Sequence, residues 1–368
     1  MGRDLVLIGG GHAHLHTLHQ ARGIQRRGHR VTLINPQPSH YYSGMAPGML
    51  GGHYSLDDIR FPLAEMAEQS GFDVIWGKVV QVEGHHQRLI LESRRCINYD
   101  VLSINVGSEV VADIAPELHR KVFQVKPVER LADLRKAVEG WAEDRPCRIS
   151  VVGGGAAGVE VAGNLRRLMD RSGVDGRVVL ISGDRLLPGW STGQVEKIRE
   201  YFVRHSIELK EGVRVTGFQR KYLTLDNDRE QMYDLAVIAT GIRPPKLFLD
   251  SALTVGADGG LSVNPFLQSV DFPEIFAAGD CIHFAASPLD KVGVYAVRQG
   301  PVLTHNLIAA LEQRPLSTYS PQQSYLQILN LGDGRAVLKR PPFSLFGVLP
   351  WRIKDRIDRS FMATYQPG

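Results

Sequence analysis

Cysteine is scarce in this chain. Three occur among the 368 residues, at Cys96, Cys147 and Cys281, and no two of them form a Cys-x-x-Cys or Cys-x4-Cys pair. Redox dithiols and zinc sites are typically recognised by such close pairs. The sequence therefore argues against a disulfide framework, a disulfide-reductase mechanism and a zinc site.

Long apolar runs are also missing. No stretch of 18 apolar residues occurs, so we predict no membrane-spanning segment. Residues 1–8 run directly into an apolar strand, without the apolar region and cleavage site of a signal peptide. Val6 departs from the myristoylation pattern. We therefore expect a cytoplasmic protein.

The chain lacks a concentration of like charges except at its end, where basic residues predominate. The net charge is +4, and most Lys and Arg residues are scattered among acids. Because nucleic-acid binders typically carry a basic patch, we predict no nucleic-acid partner. The exception is segment 335–368, which holds seven Lys or Arg and two Asp.

The chain contains one pattern twice. A β-branched strand, a glycine-rich turn, a helix and a second strand span residues 5–35 and again 149–182. Each copy continues with a further strand, a β-hairpin region and a strand that ends at a glycine, Gly107 or Gly241. Such self-similarity indicates an internal duplication.

This order of elements predicts an α/β fold with two Rossmann-like dinucleotide-binding domains. Strands that alternate with helices favour parallel sheets covered by helices. Prolines before and after the second copy bracket it as an insertion into the first. We predict a discontinuous first domain (1–115 and 247–330), a second domain (116–246) and a C-terminal segment (331–368).

Both glycine turns are suited to binding a pyrophosphate. They are Gly9-Gly10-Gly11 in the first copy and Gly153-Gly154-Gly155 in the second, each between a strand and a helix. Glycine lets the backbone approach the phosphates, and the helix start offers free N–H groups. The second copy has the third glycine of the motif, Gly158, whereas the first has His14 there.

Histidines cluster in the first helix. His12, His16 and His19 would share one helix face, a spacing compatible with metal ligands. The start of that helix is where a cofactor phosphate would lie. We therefore interpret His12 and His14 as bordering the cofactor or packing under it, and predict no metal site.

The ribose position at the end of the second strand lacks a carboxylate in both copies. Asn35 occupies it in the first copy and can still bond a ribose hydroxyl, though less strongly than an anion. Ser182 occupies it in the second, followed by Gly183, Asp184 and Arg185. Arg185 favours NADPH and Asp184 can serve NADH, so the choice stays open, with a slight preference for NADH.

A third glycine-ending strand, residues 275–280, should complete the first sheet. Its last residue, Asp280, can accept a hydrogen bond from a flavin ribityl hydroxyl, although a turn aspartate that caps a helix is the alternative. Residues 291–300 open a helix whose positive end would face the flavin pyrimidine ring. Gly293 would allow close approach.

These motifs resemble the two-dinucleotide-binding-domain flavoproteins of the pyridine nucleotide-disulfide oxidoreductase superfamily. The resemblance covers nearly the whole chain and is strongest to the branch of type II NADH dehydrogenases and sulfide:quinone oxidoreductases. Residues 9–14, 42–48 and 351–359 look like the NADH-dehydrogenase-like proteins found fused to selenide water dikinase.

The resemblance implies FAD and NAD(P)H as cofactors and assigns residues to them. It places Glu160 near the stacked rings, and Arg298 and Gln299 beside the flavin or the acceptor. The residues implied to bind FAD are Gly9, Gly10, Gly11, His12, Ala13, Asn35, Val80, Gly107, Gly279, Asp280 and Gly293. Those implied to bind the nicotinamide cofactor are Gly153, Gly155, Gly158, Ser182 and Gly241.

The resemblance also suggests the acceptor. Without a dithiol, electrons must pass from the flavin straight to an outside acceptor, which in type II dehydrogenases is a quinone. Sulfide oxidation would need cysteines flanking the flavin, and Cys281 alone is a candidate. A selenium or sulfur compound, a partner redox protein, or a flavin-binding regulatory role with little turnover are the alternatives.

The C-terminal segment is aromatic-rich and basic. Residues 343–361 include a predicted short helix with Ile353, Ile357 and Phe361 on one stripe. Such an amphipathic end can dock on an anionic membrane surface and collect a quinone there. The alternative is that the stripe packs against the flavin domain.

Overall fold

Two parallel sheets of five strands each carry the duplicated pattern. The computed structural model describes residues 2–112, 114–341 and 343–367. The first strands in chain order are β1 (Asp4–Ile8), β2 (Arg30–Asn35), β3 (Ser39–Tyr41), β4 (Arg60–Pro62), β5 (Asp73–Trp76), β6 (Val79–Glu83), β7 (Arg88–Leu91), β8 (Cys96–Asn98), β9 (Val101–Ile104), β10 (Glu109–Val110), β11 (Val122–Gln124) and β12 (Cys147–Val152).

The remaining strands and the helices follow the same numbering. The strands are β13 (Gly176–Ser182), β14 (Ile207–Glu211), β15 (Val215–Phe218), β16 (Tyr222–Leu225), β17 (Glu230–Met232), β18 (Leu235–Ile238), β19 (Ile242–Arg243), β20 (Leu261–Val263), β21 (Ile275–Ala277), β22 (Ile282–Phe284), β23 (Gln327–Asn330), β24 (Ala336–Arg340) and β25 (Phe343–Gly347). The helices are α1 (His12–His19), α2 (Ala21–Arg26), α3 (Ala46–Leu50), α4 (Leu63–Ser70), α5 (Glu129–Glu139), α6 (Ala156–Ser172), α7 (Thr192–Arg204), α8 (Leu247–Asp250), α9 (Gly293–Leu311) and α10 (Val348–Tyr365).

The first sheet has the strand order β21-β9-β1-β2-β5 and is parallel throughout. Its central strands read as continuous apolar runs because helices cover both faces of a parallel sheet. The strand predicted near 275–280 does complete this sheet: Ile275 pairs with Leu102 on β9. Three segments of the chain thus end side by side at one edge of the sheet.

The second sheet repeats this plan with the order β11-β18-β12-β13-β14. All of its strands lie between residues 122 and 238, and β21 of the first sheet follows them in the chain. The two connections run together as the antiparallel pair β10 and β19, where Glu109 is opposite Arg243.

Each unit also carries the predicted antiparallel excursion, β6-β7-β8 in the first and β15-β16-β17 in the second. Both have a register shift in their first strand, between Val79 and Gln81 and between Val215 and Gly217. A bulge leaves one residue outside the ladder. That residue is Val80 in one copy and Thr216 in the other.

The C-terminal segment differs from the sequence expectation. Its strands β24 and β25 form an antiparallel sheet with β23, which lies just before the segment, and α10 follows with 18 residues and is not short. Along the predicted stripe, Ile357 is 47% exposed, whereas Ile353 and Phe361 are partly buried. The buried face of α10 carries Pro350, Asp358 and Met362.

The same segment packs on the second unit. Leu331 lies against α6 so closely that a Cβ on Gly163 would come within 2.2 Å of the Leu331 carbonyl oxygen. The hydroxyl of Tyr201 on α7 donates to that oxygen at 2.8 Å. The segment therefore joins the inserted unit to the rest of the molecule.

Candidate functional site

The first glycine turn, between β1 and α1, requires glycine at two positions. Gly9 has φ +85°, and a Cβ on it would lie 2.6 Å from the Asn105 carbonyl oxygen. A Cβ on Gly11 would lie 2.2 Å from Asn105 Oδ1. The turn therefore runs directly against the end of β9, and its other side faces the start of α1.

Asn105 is a site residue that the sequence analysis did not single out. Its Oδ1 accepts from the N–H of Ala13 at 3.0 Å, and its Nδ2 donates to the Ala278 carbonyl at 2.5 Å. One buried amide thus ties the start of α1 to the end of β21. The signal available in the sequence was a polar residue directly after the buried run Val101–Ile104.

His14 replaces the third glycine and is completely buried. Its Nδ1 lies 2.6 Å from the Gly9 carbonyl oxygen and its Nε2 lies 2.8 Å from Ser103 Oγ. A carbonyl can only accept, so Nδ1 carries the proton and Nε2 accepts from the Ser103 hydroxyl. Burial lowers the pKa of His14 to about 4, which keeps the ring neutral. In the second copy a Cβ at Gly158 would lie 1.8 Å from the Gly153 oxygen.

The two ribose-position residues lie under the middle glycine of their turns. Asn35 Oδ1 accepts from the Gly10 N–H at 3.0 Å, and Asn35 Nδ2 donates to the Gln37 carbonyl at 2.6 Å. Ser182 Oγ lies 2.0 Å from where a Cβ on Gly154 would be. Each strand end therefore supports the turn above it.

Asp280 follows β21 at the same edge of the sheet. Its Oδ2 accepts from Ser108 Oγ at 2.8 Å and from Lys126 Nζ at 2.9 Å. Burial alone would raise the pKa of Asp280, but the charge and hydrogen bond of Lys126 and the bond from Ser108 hold it below its ordinary value. The preceding Gly279 has φ +77°, and its N–H donates to Gln299 Oε1 at 2.7 Å.

The other predicted residues on α9 divide by exposure. Gln299 is 1% exposed and holds the turn before Asp280. Arg298 is exposed, as is Gly293 at the helix start. The structure thus brings Gln299, but not the Arg298 side chain, into the protein interior.

His12 and His40 form a pair beside the first turn. Their ring centroids are 5.1 Å apart. Burial lowers the pKa of His12 to about 4 and that of His40 to about 3. The Nε2 atom of each ring is buried and has no hydrogen-bond partner among the described residues. Buried polar atoms are normally partnered, so an orphaned pair at a helix start fits a polar ligand such as the phosphates or hydroxyls of FAD.

The second turn has the same construction and an open outer side. Gly153 has φ +126°, and a Cβ on it would lie 2.4 Å from the Ala239 oxygen. Neither Gly155 nor Gly241 has an atom within 4 Å of a Cβ position. A cavity of about 500 Å³ lies close by, lined by Val111, Ala112, Ala115, Leu118, Val152, Val215, Thr216, Gly217, Phe218, Ile238 and Thr240.

Glu160 lies two residues after Gly158 and is enclosed where α6 meets the C-terminal segment. Its Oε1 accepts from the Asn330 N–H at 2.9 Å. Burial raises the pKa of Glu160 to about 7, although the nearby Lys354 charge opposes the rise. This carboxyl group is therefore poised to change protonation near neutral pH.

Three further side chains complete a buried cluster around Glu160. Lys354 Nζ donates to Asp358 Oδ2 and to the Gly44 carbonyl, each at 2.8 Å. Tyr42 donates its hydroxyl to Asp358 Oδ1 at 3.1 Å. We call Glu160, Lys354, Asp358 and Tyr42 the C-terminal ion cluster. The sequence analysis did not predict it, because residues this distant in sequence show no shared pattern.

Two of the three cysteines, Cys147 and Cys281, are buried, and Cys96 is exposed. Cys281 is fully buried, its Sγ donates to the Ala278 oxygen at 3.2 Å, and burial raises its pKa to about 11. Burial likewise raises the pKa of Cys147 to about 12. Both remain thiols at neutral pH, and thiols are poor nucleophiles compared with thiolates.

Comparisons with known proteins agree with this architecture. The sequence profile of the pyridine nucleotide-disulphide oxidoreductase family matches residues 3–309. The NADH dehydrogenase-like protein YutJ of Bacillus subtilis is 22% identical over 78% of this chain and 78% of its own length.

Two solved structures extend the likeness to the C-terminal segment. The sulfide:quinone oxidoreductase of Aquifex aeolicus superposes with a TM-score of 0.82 at 18% identity, covering 99% of this chain and 92% of that one. NDH2 of Plasmodium falciparum, solved with NADH, has a TM-score of 0.77 at 13% identity and covers 100% and 99%. Among the described residues, no helix combines the length and apolar character needed to cross a membrane.

Proposed function

Because the chain belongs to the pyridine nucleotide-disulphide oxidoreductase family and is an FAD-dependent NAD(P)H oxidoreductase, we propose that it passes electrons from NAD(P)H to a quinone-like acceptor without a redox dithiol. FAD, when bound, supplies the carrier that takes up a hydride and releases two electrons. The protein binds and orients the reactants and handles protons.

Two sets of residues are proposed to hold the cofactors. Gly9 to Ala13, with Asn35, hold the FAD phosphates and ribose, and the bulged Val80 offers unpaired backbone to the adenine. Gly107, Asp280 and Gly293 border the rest of the FAD. This part of the proposal is supported by the glycine contacts and by the orphaned histidine nitrogens. Gly153, Gly155, Gly158, Ser182 and Gly241 are proposed to hold the nicotinamide cofactor.

The C-terminal ion cluster is the observation that carries the acceptor proposal. Reduction of a quinone by two electrons also consumes two protons. Glu160, with its pKa near 7, can hold a proton at its carboxyl group under physiological conditions. Lys354, paired with Asp358, lies close enough for its charge to oppose the rise in the pKa of Glu160.

Aromatic side chains beside this cluster suit a flat acceptor. The ring centroids of Tyr42 and Phe361 are 4.8 Å apart. Those of His53 and Trp351 are 5.0 Å apart, and both Phe361 and Trp351 lie on α10. Aromatic side chains next to a few polar groups are typical of small-molecule sites. Together with the burial of Cys147 and Cys281, they favour a quinone over a sulfur acceptor.

An apolar surface near the start of α10 supports peripheral contact with a membrane. Phe343 is 74% exposed, Val348 48% and Leu349 59%. Arg352 and Arg356 are exposed on the same helix. Exposed apolar groups next to basic ones favour anionic lipid surfaces. We propose that residues 343–361 contact the cytoplasmic face of a membrane, where quinones reside.

The test is a two-step anaerobic reaction. The purified protein is mixed with NADH or NADPH and its flavin absorbance followed, and then a short-chain quinone is added. We expect reduction by a nicotinamide nucleotide and rapid reoxidation by the quinone. A reduced protein that ignores quinones but is reoxidised by polysulfide or selenite would disprove the acceptor.

The Glu160→Gln variant sharpens this test, with Glu196→Gln as its control, because Glu196 is on the surface of α7. We expect Glu160→Gln to slow the quinone step about tenfold or more while the nucleotide step is retained. Equal rates in the two variants would remove the proposed role of Glu160.

A further inference from the structure

We infer that NADPH is the preferred electron donor and that Arg185 and Arg214 bind its 2′-phosphate. The inference deepens the proposed function, because it names the donor at the same nucleotide site. Arg214 was not considered in the sequence analysis, since it lies 32 positions beyond Ser182 in the sequence.

The strand end beneath the second turn offers no negative charge. In dinucleotide-binding folds a carboxylate at this position accepts the ribose hydroxyls of NADH and repels a 2′-phosphate. Here β13 ends at Ser182, whose side chain is 3% exposed and lies against Gly154. The feature that would reject NADPH is therefore replaced by a small neutral group.

The turn after Ser182 is fixed beside the glycine turn. The Leu187 N–H donates to the Gly154 carbonyl at 2.8 Å. The Leu186 N–H donates to Glu211 Oε1 at 2.5 Å, and Arg199 holds the same carboxylate. Because Leu186 and Leu187 anchor the turn directly after it, the exposed Arg185 lies on a fixed backbone.

Arg214 reaches this turn from the loop after β14. Its Cγ lies 2.7 Å from where a Cβ on Gly183 would be, so its side chain runs across the glycine. The Arg214 backbone is held by the Asp226 N–H, which donates to its carbonyl at 2.9 Å. The guanidinium therefore lies next to the residue that follows the ribose position.

Asp184 is the group that would favour NADH, and it is already paired. Arg214 Nη2 lies 3.2 Å from both of its carboxylate oxygens. The two side chains are 64% and 73% exposed, and an ion pair this exposed contributes little. A phosphate, with more charge and more acceptor oxygens, can take Arg214 from Asp184 with little loss.

The charge balance at this edge decides between the two nucleotides. Arg185 and Arg214 outnumber Asp184 on and beside this turn, and no acid stands at the ribose position. Both arginines attract a 2′-phosphate, whereas a 2′-hydroxyl has only Asp184 to accept its hydrogen bond, and Arg214 already pairs with that carboxylate. The structure therefore assigns a phosphate-binding role to Arg185 and Arg214.

The test measures binding, so it does not depend on turnover. The FAD-loaded protein is titrated with adenosine 2′,5′-bisphosphate and with 5′-AMP by calorimetry. We expect the bisphosphate to bind at least about tenfold more tightly. Arg185→Ala and Arg214→Ala should each weaken the bisphosphate about tenfold and leave 5′-AMP unchanged. Arg220→Ala, on an exposed turn of the same unit, is the control and should change neither.

Two results would overturn the inference. One is equal affinity for the bisphosphate and 5′-AMP. The other is that the arginine variants weaken the binding of both probes to the same extent. Asp184→Asn should strengthen bisphosphate binding, because it frees Arg214, and Ser182→Asp should weaken it. If the bisphosphate binds tightly but neither nucleotide reduces the flavin, the proposed function fails and this inference stands. If NADH reduces the flavin and the bisphosphate binds no more tightly than 5′-AMP, the proposed function stands and this inference fails.

Discussion

At the scale of single residues, the first dinucleotide turn is unusual for what stands in place of its third glycine. His14 uses both ring nitrogens to join the turn to β9, through the Gly9 carbonyl and the Ser103 hydroxyl. The sequence predicted that His14 borders the cofactor or packs under it, and its position relative to the cofactor stays a prediction. The tautomer could not be predicted, because it depends on the folded turn placing the Gly9 carbonyl oxygen 2.6 Å from Nδ1.

The buried histidines make stability depend on pH. Burial lowers the pKa values of His12 and His14 to about 4 and of His40 to about 3 from an ordinary 6.5. Between pH 6.5 and about 4 the unfolded chain binds protons that the folded protein does not, so the free energy of unfolding falls as the pH falls. We expect a His40→Phe variant to lose part of this slope in denaturant titrations. A slope identical to that of the wild type would show that the pKa of His40 is the same in the folded protein and in the unfolded chain, against the assigned direction.

Glu160 has the opposite dependence. Its pKa is raised from 4.5 to about 7, so between these values the folded protein binds a proton that the unfolded chain does not. Stability associated with Glu160 is therefore present below pH 4.5 and is lost as the pH rises through 7. Glu160→Gln should remove this loss in the same titrations. A variant that is less stable than the wild type at pH 8 would contradict the assigned direction.

Asp280 gives a prediction on cofactor binding. Removing its carboxylate by Asp280→Ala should weaken FAD binding at least about tenfold, the equivalent of one hydrogen bond to a charged group. FAD affinity is measured by titrating the stripped protein and following flavin fluorescence. Asp271→Ala is the control, since Asp271 bonds Thr254 on the surface. Full FAD occupancy in Asp280→Ala would refute the ribityl assignment.

At the scale of elements, the sheets could be predicted from the sequence and the C-terminal elements could not. Apolar runs bounded by glycine turns mark β1, β9, β12 and β18, because a parallel sheet buries both faces of a strand. The strands β23 to β25 are short and partly exposed, so their pattern is weak. The buried face of α10 was missed because it includes charged residues, whose pairing is visible only in three dimensions.

The contact between α6 and Leu331 can be tested by adding one methyl group at Gly163. A Cβ on Gly163 would lie 2.2 Å from the Leu331 carbonyl oxygen, a backbone atom with little freedom to move. Gly163→Ala should therefore destabilise the protein by about 2 kcal/mol and make residues 331–367 more accessible to protease. Gly193→Ala is the matched control, because Gly193 is also helical and has no atom within 4 Å. It should be neutral or slightly stabilising.

At the scale of the whole molecule, the C-terminal segment has two faces. Its inner face closes the C-terminal ion cluster, and its outer face exposes the apolar side chains proposed to meet a membrane. The sequence analysis treated packing and membrane docking as alternatives. The contacts of the inner face show that the segment packs on the rest of the protein. Membrane docking is proposed for the outer face alone.

Leu349 tests the outer face. Leu349→Asp should abolish binding to vesicles that contain anionic lipid, as measured by co-sedimentation, because it places a negative charge in the apolar surface. Leu249→Asp is the control, since Leu249 is also 59% exposed and lies on α8. If both variants bind vesicles as the wild type does, residues 343–361 do not dock on membranes.

The packing of α10 has a consequence for how the enzyme is made. Tyr42 and Glu160 leave the ribosome long before residues 348–365, yet their buried surroundings include Lys354 and Asp358. A nascent chain that has already formed both sheets therefore still lacks two members of the C-terminal ion cluster, Lys354 and Asp358. The proposed delivery of a proton to the acceptor should therefore begin only after translation has passed α10.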